Sequence, residues 1–259
     1  MRKLSELTSK RLPVRKMVLA AITCAVLLGA FLAGGSREAF AATTGIKYTT
    51  QADALKKLQL FQGTERGYEL DQTFTRAQGA TMLLRLFGWE SAADNAQGLT
   101  SPFTDVPTVH WAAKSVAFAY EKALVHGITN EQFAPNASMT GAQFIALTMR
   151  ALGYTEAEPQ QASELAASSG LLSATDAKQF AQAAVFRRDD MVAIAYSAIQ
   201  TKLKGSERTL LQKLVEDDKA VSAEAAVASG LFKKPAAEVE PGGDPMDQIE
   251  AAIKDALKQ

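Results

Sequence analysis

Few residues of this 259-residue chain have a type and spacing that could do chemistry. It has two histidines, His110 and His126, and one cysteine, Cys24. There is no His-Glu-x-x-His, no Gly-x-Ser-x-Gly and no Gly-rich loop ending in Lys-Ser/Thr, so no metal, nucleophile or phosphate site is spelled out. The adjacent carboxylates Asp189/Asp190 and Asp217/Asp218 would point about 100° apart on a helix, which does not aim either pair at one substrate bond. No catalytic residue, cofactor or metal is expected. What remains are charged and aromatic side chains at the edges of helical segments. Arg76 stands at a helix N-terminus, where the macrodipole disfavours a cation, so its position argues for a task other than helix stability. Arg188 sits beside Arg187, Asp189 and Asp190, a cluster that either meets a ligand or is simply solvated. Asp105 lies in a Thr-Asp-Val-Pro turn that it can orient. Trp111 opens an amphipathic segment, where it serves the core or an exposed face. Asn136-Ala137-Ser138 is a glycosylation sequon by pattern alone.

The elements that position these residues follow from an internal repeat. Thr75–Trp89 superposes without gaps on Thr140–Tyr154 at an offset of 65, with five identities: Thr75/Thr140, Ala77/Ala142, Gln78/Gln143, Arg85/Arg150 and Gly88/Gly153. A weaker third copy is Arg187–Thr201. Thr75-x-x-Gln78 and Thr140-x-x-Gln143 are capping boxes, which predict helix starts. Apolar residues then recur at helical spacing: Ala80, Leu83, Leu84 and Phe87; Ile145, Thr148, Met149 and Leu152; Val192, Ala195, Tyr196 and Ile199. A second row (Met82/Leu147/Ile194, Leu86/Ala151/Ala198) predicts burial on more than one side. Gly88 and Gly153 are expected to end the first two helices in the left-handed conformation. A further helix precedes each copy, at Gln51–Leu60, Trp111–His126 and Gln160–Ser169, and two more follow at Glu207–Asp217 and Ala220–Ser229. Each repeat therefore reads as helix, irregular loop, helix. Strand signals are scarce. A Pro/Gly linker leads to Met246–Lys258, whose Met246, Ile249, Ile253 and Leu257 share one face.

The ends and the charge balance bound the setting. Basic and acidic residues are equal at 28 each, but residues 1–41 hold seven basic against two acidic, leaving 21 against 26 in the body. An acidic body lacks the phosphate-neutralising term that nucleic acid or anionic membranes need, so nucleic-acid partners are not expected. The basic start, the apolar run Met17–Ala33 and the triplet Ala39-Phe40-Ala41 have the order of a secretory signal peptide. Cleavage is expected between Ala41 and Ala42, with membrane contact only before it. The alternative is an uncleaved anchor, since 17 apolar residues sit at the lower edge of a span. Cys24 interrupts the run rather than ending it, unlike a lipoprotein cysteine. Cleavage would remove the only thiol, so the exported body must stand on its core without disulfide or metal. A mainly helical monomer over 45–232 is expected.

With these motifs in place, the chain resembles the S-layer homology repeats of bacterial surface proteins. The second repeat carries the resemblance best: Phe103-x-Asp105-Val106, His110-Trp111-Ala112, Ala123 to Gly127-Ile128, Phe133-x-Pro135-Asn136 and Thr140-x-Ala142-Gln143-Phe144. Thr75-Arg76-Ala77-Gln78 is close to the family's Thr-Arg-Ala-Glu, and repeat three retains Arg188 and Asp190. The resemblance implies an all-α fold in which three repeats (42–100, 101–156 and a divergent 157–232) form a pseudo-threefold prism around a central helical bundle. A signal peptide (1–41), a linker (233–245) and a short amphipathic tail (246–259) complete the organisation. The implied role is non-covalent anchoring at a bacterial cell wall or surface. Grooves between repeats would bind secondary cell-wall polysaccharide, often bearing pyruvate ketals. An arginine fork bonds a carboxylate bidentately, and a tryptophan can lie against the apolar face of a sugar. The resemblance thus assigns Arg76 and Arg188 to the acid group, Trp111 to the sugar face and Asp105 to groove polarity, with Gln78 and Asp190 in place of the motif glutamate.

The arginine position of repeat two holds Gly141, so the groove there is expected to be the weak one of three. Gly141→Arg is expected to be accepted by the helix, arginine being the better helix former. The competing expectation is a structural or adaptor protein with degenerate repeats that engages a protein partner through 246–258.

Overall fold

A computed structural model describes residues 45–233 of the chain. The 1–41 segment with its Ala41/Ala42 junction, the linker beyond Lys233 and the 246–259 tail lie outside the described residues. Among those described there are ten helices and no sheet: α1 (Thr49–Lys57), α2 (Arg76–Leu86), α3 (Glu90–Asn95), α4 (Ala113–Glu121), α5 (Gly141–Ala151), α6 (Ala162–Ser168), α7 (Ala174–Ala181), α8 (Arg188–Gln200), α9 (Leu210–Glu216) and α10 (Ala223–Ala228). The fold is mainly helical, as expected.

The three motif helices are α2, α5 and α8. Thr75 and Thr140 accept the N3 amide while Gln78 and Gln143 accept the N-cap amide, so both capping boxes are complete. Gly88 and Gly153 adopt φ of +71° and +105°. The following amides, Trp89 and Tyr154, donate to Leu84 O and Met149 O in the Schellman pattern. The preceding helices are shorter than their apolar patterns suggested. Gln59 and Ala123 already turn left-handed at φ 61° and 54°, ending α1 and α4 ahead of the glycines that mark the end of the pattern. Two helices carried no clear sequence signal. α3 has six residues and buries only Ala93. α7 is capped by Ser173 and buries only Ala177 and Phe180.

Packing runs across copies as well as within them. Each motif helix lies against the helix that opens the next copy: α2 on α4, α5 on α6 and α7, and α8 back on α1. The motif helices also meet one another, α2 with α5 and α5 with α8. Leu83, Ile145, Met149, Val192, Ile194 and Ile199 are fully buried there. At the centre Phe74, Phe144 and Phe186, one from each copy, pack with ring centroids 5.5–6.0 Å apart. Losing one such ring would cost about 3–5 kcal/mol.

The starts of the motif helices are exchanged in the same way. Arg188 and Asp189 donate their amides to Gln72 O (2.8 Å) and Leu70 O (3.0 Å). Arg76 and Ala77 donate theirs to Ala137 O (2.9 Å) and Pro135 O (3.1 Å), and these acceptors lie 65 residues after the first pair. Copy three is thus stitched to the loop of copy one, and copy one to the loop of copy two. The buried carboxylate of Asp189 adds a second link between copies three and one by accepting the amides of Lys47 and Tyr48, both at 2.9 Å.

Candidate functional site

These junctions leave two cavities built from corresponding positions. The first, about 170 Å³, is lined by Phe61, Gln62, Phe74, Gln78, Met82, Arg85, Trp111 and Arg188, among others. The second, about 350 Å³, is lined by His126, Gly127, Met139, Gln143, Leu147, Arg150, Gln160 and Arg76, with Glu158 and Ile128 on its wall. Six of these pairs, from Phe61/His126 to Arg85/Arg150, are related by the repeat offset of 65. Trp111 and Gln160 both stand two residues before the helix that opens the next copy. Arg188 and Arg76 both open a motif helix.

The same framework carries different chemistry in the two places. In the first cavity Trp111 is 62% exposed and stacks on His110 with centroids 5.7 Å apart. Its indole is therefore a surface platform rather than core. Arg188 is half-buried and, among the described residues, its guanidinium pairs only with Glu69, at 3.5 Å. Gln78 lines the same wall, although its Oε1 is committed to capping Thr75. In the second cavity Arg76 is 8% exposed. Its Nε donates to Phe133 O and its Nη2 to His126 O, both at 2.8 Å, and its guanidinium lies 4.6 Å from the Phe133 ring centre. Burial pulls the Arg76 pKa down, opposed by the charge of Asp105. Arg76 is thus tied into the wall, and Gln160 stands where the first cavity has tryptophan.

The structure brings Arg188, Trp111 and Gln78 together in one cavity and puts Arg76 in the other. Asp105 lines neither. Its two oxygens accept the amides of Phe133 (2.9 Å) and Ala134 (2.7 Å), which holds the turn whose Phe133 carbonyl receives Arg76. Asp190 accepts the amide of Arg187 at 2.9 Å, a helix-capping task, and burial raises its pKa. Sequence reasoning did not single out Arg85, Arg150 or Glu158 as site residues. The signal was present: Arg85/Arg150 is one of the five identities between copies and the only charged one.

The third junction is closed. A Cβ on Gly141 would stand 1.9 Å from Phe180 O, 2.7 Å from Phe180 C and 3.1 Å from the Phe186 ring. The end of α7 fills the place that the other copies leave for an arginine. The expectation that Gly141→Arg would be accepted is corrected accordingly. Helix propensity favours the change, but any side chain there would drive its Cβ into the Phe180 backbone carbonyl.

Among the described residues no group of three His, Cys, Asp or Glu could hold a metal, and no helix is long and apolar enough to cross a membrane. Comparison with known proteins decides the family of the middle repeat, because residues 102–145 match the S-layer homology domain. This stretch is an S-layer homology domain. It contains Asp105, Trp111, the wall of the second cavity from His126 to Phe133, and the capping box that starts α5. The chain is similar to a cell surface protein of Thermoanaerobacter kivui, 32% identical over 55% of this chain and 19% of that one. It is also similar to the middle cell wall protein of Brevibacillus brevis, 32% identical over 54% of this chain and 14% of the other. An endoglucanase of a Bacillus species is 40% identical over 32% of this chain and 8% of its own. The chain thus spans less than a fifth of each relative's length. Two of the three are thus named as proteins of the cell surface or cell wall.

Proposed function

We propose that the chain anchors at the bacterial cell wall by binding secondary cell-wall polysaccharide in the first cavity, where copies three and one meet Trp111 of copy two. The observation that carries this reading is the pairing of an exposed tryptophan with a weakly held arginine in one concave site: Trp111 at 62% exposure and Arg188 held, among the described residues, only by a 3.5 Å contact to Glu69. An indole face covers the apolar side of a sugar ring. A guanidinium fork a short distance away meets a carboxylate on that sugar, such as a pyruvate ketal, by two parallel charge-assisted hydrogen bonds. In this reading Arg188, rather than Arg76, meets the acid group. Arg76 and Asp105 build the neighbouring wall, and Gln78 and Asp190 set the helix starts that aim both arginines.

The test is retention of the chain on purified cell walls, with and without their secondary polysaccharide. Arg188→Ala and Trp111→Ala are each expected to reduce retention on intact walls while leaving the melting temperature unchanged. Wild-type retention that is equal on intact and stripped walls would remove the polysaccharide as ligand. Binding would then have to go through a protein partner, as in the adaptor reading.

A further inference from the structure

Copies one and two, and copies two and three, follow each other along the chain, whereas copies three and one are joined by non-covalent contacts alone. At that junction Arg188 and Asp189 are the first two residues of α8, and neighbours on a helix point about 100° apart. Arg188 lines the first cavity. Asp189, 7% exposed, turns instead to the Lys47–Tyr48 segment that leads into α1. Its Oδ2 accepts the amide of Lys47 and its Oδ1 that of Tyr48, so two consecutive backbone donors occupy both oxygens. Tyr48 is the N-cap residue of α1 but makes no side-chain cap hydrogen bond among the described residues, and the first turn of α1 has no acidic residue. Asp189 thus supplies, from copy three, the negative charge that favours the start of α1. The Tyr48 ring also packs edge-on to Phe180 of α7, with centroids 6.4 Å apart. The other motif helices have alanine at the corresponding position, Ala77 in copy one and Ala142 in copy two. A buried carboxylate costs more than alanine unless its oxygens are paired, so Asp189 fits its place only with the Lys47–Tyr48 segment clasped.

We propose that Asp189 is a positioning residue for the first cavity: by clasping the Lys47–Tyr48 segment it fixes the start of α8 against copy one, and with it the place of Arg188 on the cavity wall. This rests on the carbohydrate reading of that cavity and adds a residue that does not line it. The first turn of α8 is held from two sides. The Arg188 and Asp189 amides reach Gln72 O and Leu70 O, and the Asp189 carboxylate holds the segment before α1. Without the clasp one side remains, the helix start opens more readily, and the guanidinium must be ordered when ligand binds rather than beforehand. A ligand on Arg188 and a closed clasp favour the same arrangement of α8, so each strengthens the other.

The test uses the full chain with purified cell walls and with the soluble polysaccharide released from them, well below the melting temperature of every variant. Asp189→Ala restores the residue of the other copies, and Asp189→Asn keeps one acceptor. Ile145→Val, in the core of α5, is the control for loss of stability alone. Asp189→Ala is expected to weaken polysaccharide binding about tenfold, Asp189→Asn less, and Ile145→Val not at all. Should Asp189→Ala fail to fold, Asp189→Asn carries the comparison. In the reciprocal measurement, polysaccharide should slow hydrogen exchange of the Lys47 and Tyr48 amides in wild type but not in Arg188→Ala. Asp189 variants that bind like wild type, a matching loss in Ile145→Val, or exchange at Lys47 and Tyr48 that binding leaves unchanged would each overturn the inference while the first-cavity reading stands. Wild-type retention that is equal on intact and stripped walls overturns both.

Discussion

Gly141→Ala isolates the steric argument at the third junction in its smallest form. One methyl group is added at the first residue of α5. Helix propensity alone would make the variant more stable, by up to about 1 kcal/mol. Against this, the new carbon would lie 1.9 Å from Phe180 O and 2.7 Å from Phe180 C, and both are backbone atoms that cannot swing aside. Relief requires α7 to move off α5, and these two helices meet over several residues on a face that buries Phe180 and Phe186. Overpacking of a close-packed interface costs about 1–3 kcal/mol per site, and a gap opened along a helix face forfeits the dispersion attraction across it. The net expectation is destabilisation by about 2 kcal/mol, which for a domain of this size lowers the melting temperature by about 4–8 °C. Gly141→Arg should be worse, because the guanidinium has no route to solvent past Phe180. The assay is thermal unfolding followed by circular dichroism, with wall retention measured on the folded variants. A Gly141→Ala protein as stable as wild type, or more so, would refute the reasoning. It would mean that α7 yields easily and that the third junction can open.

Three further outcomes follow from the same geometry. Asp105→Ala removes the acceptor of two amides, Phe133 and Ala134. It should cost about 2–3 kcal/mol in denaturant unfolding, and Asp105→Asn, which keeps one acceptor, less. Trp111→Ala should leave stability within about 0.5 kcal/mol, as expected of an exposed side chain, and still reduce wall retention; a large drop in stability would return Trp111 to the core. Asp190→Asn bears on pH. Burial raises the folded-state pKa of Asp190 above its ordinary value, so the native state holds this proton to higher pH than the unfolded chain does. The associated stability is present below the ordinary carboxylate range and is lost as pH rises through the raised value. Asparagine keeps an oxygen for the Arg187 amide, so the variant should gain on wild type at neutral pH and show no gain in acid. The opposite slope in melting temperature against pH would overturn the assignment.

What could be read from the sequence was whatever depends on near neighbours. The capping boxes at Thr75 and Thr140, the left-handed glycines at 88 and 153, and the buried stripes of α2, α5 and α8 are all set within one helix and its first flanking residues. They appear as expected. The helix boundaries at Gln59 and Ala123 were not legible, because a non-glycine residue takes the left-handed turn there. Nor was α7, whose two buried residues make no periodic stripe of their own.

The site lies beyond that local range for a physical reason. Each motif helix packs on the helix that opens the next copy, and α2 and α8 donate their first amides to the loop of another copy. Both cavities are therefore walled by residues from different copies. An arginine at the motif position is the same letter in copies one and three, but its partners are chosen elsewhere. In copy one the Phe133 and His126 carbonyls take the Arg76 fork. In copy three the corresponding loop belongs to copy one and presents Glu69 at 3.5 Å instead. In copy two the partner loop has become α7, and its Phe180 carbonyl leaves room only for glycine. A motif repeated along the chain has thus become three unlike junctions. One is filled, and the other two keep the same frame with a guanidinium tied to backbone carbonyls in one and facing a cavity in the other. Reading the copies as equivalent predicts three versions of one groove, whereas reading them with their exchanged partners predicts sites of unequal chemistry. Retention of Arg76→Ala and Arg188→Ala on intact walls, compared at equal folded concentration, separates the two. Equivalent grooves would lose retention with either substitution, and unequal ones with Arg188→Ala alone.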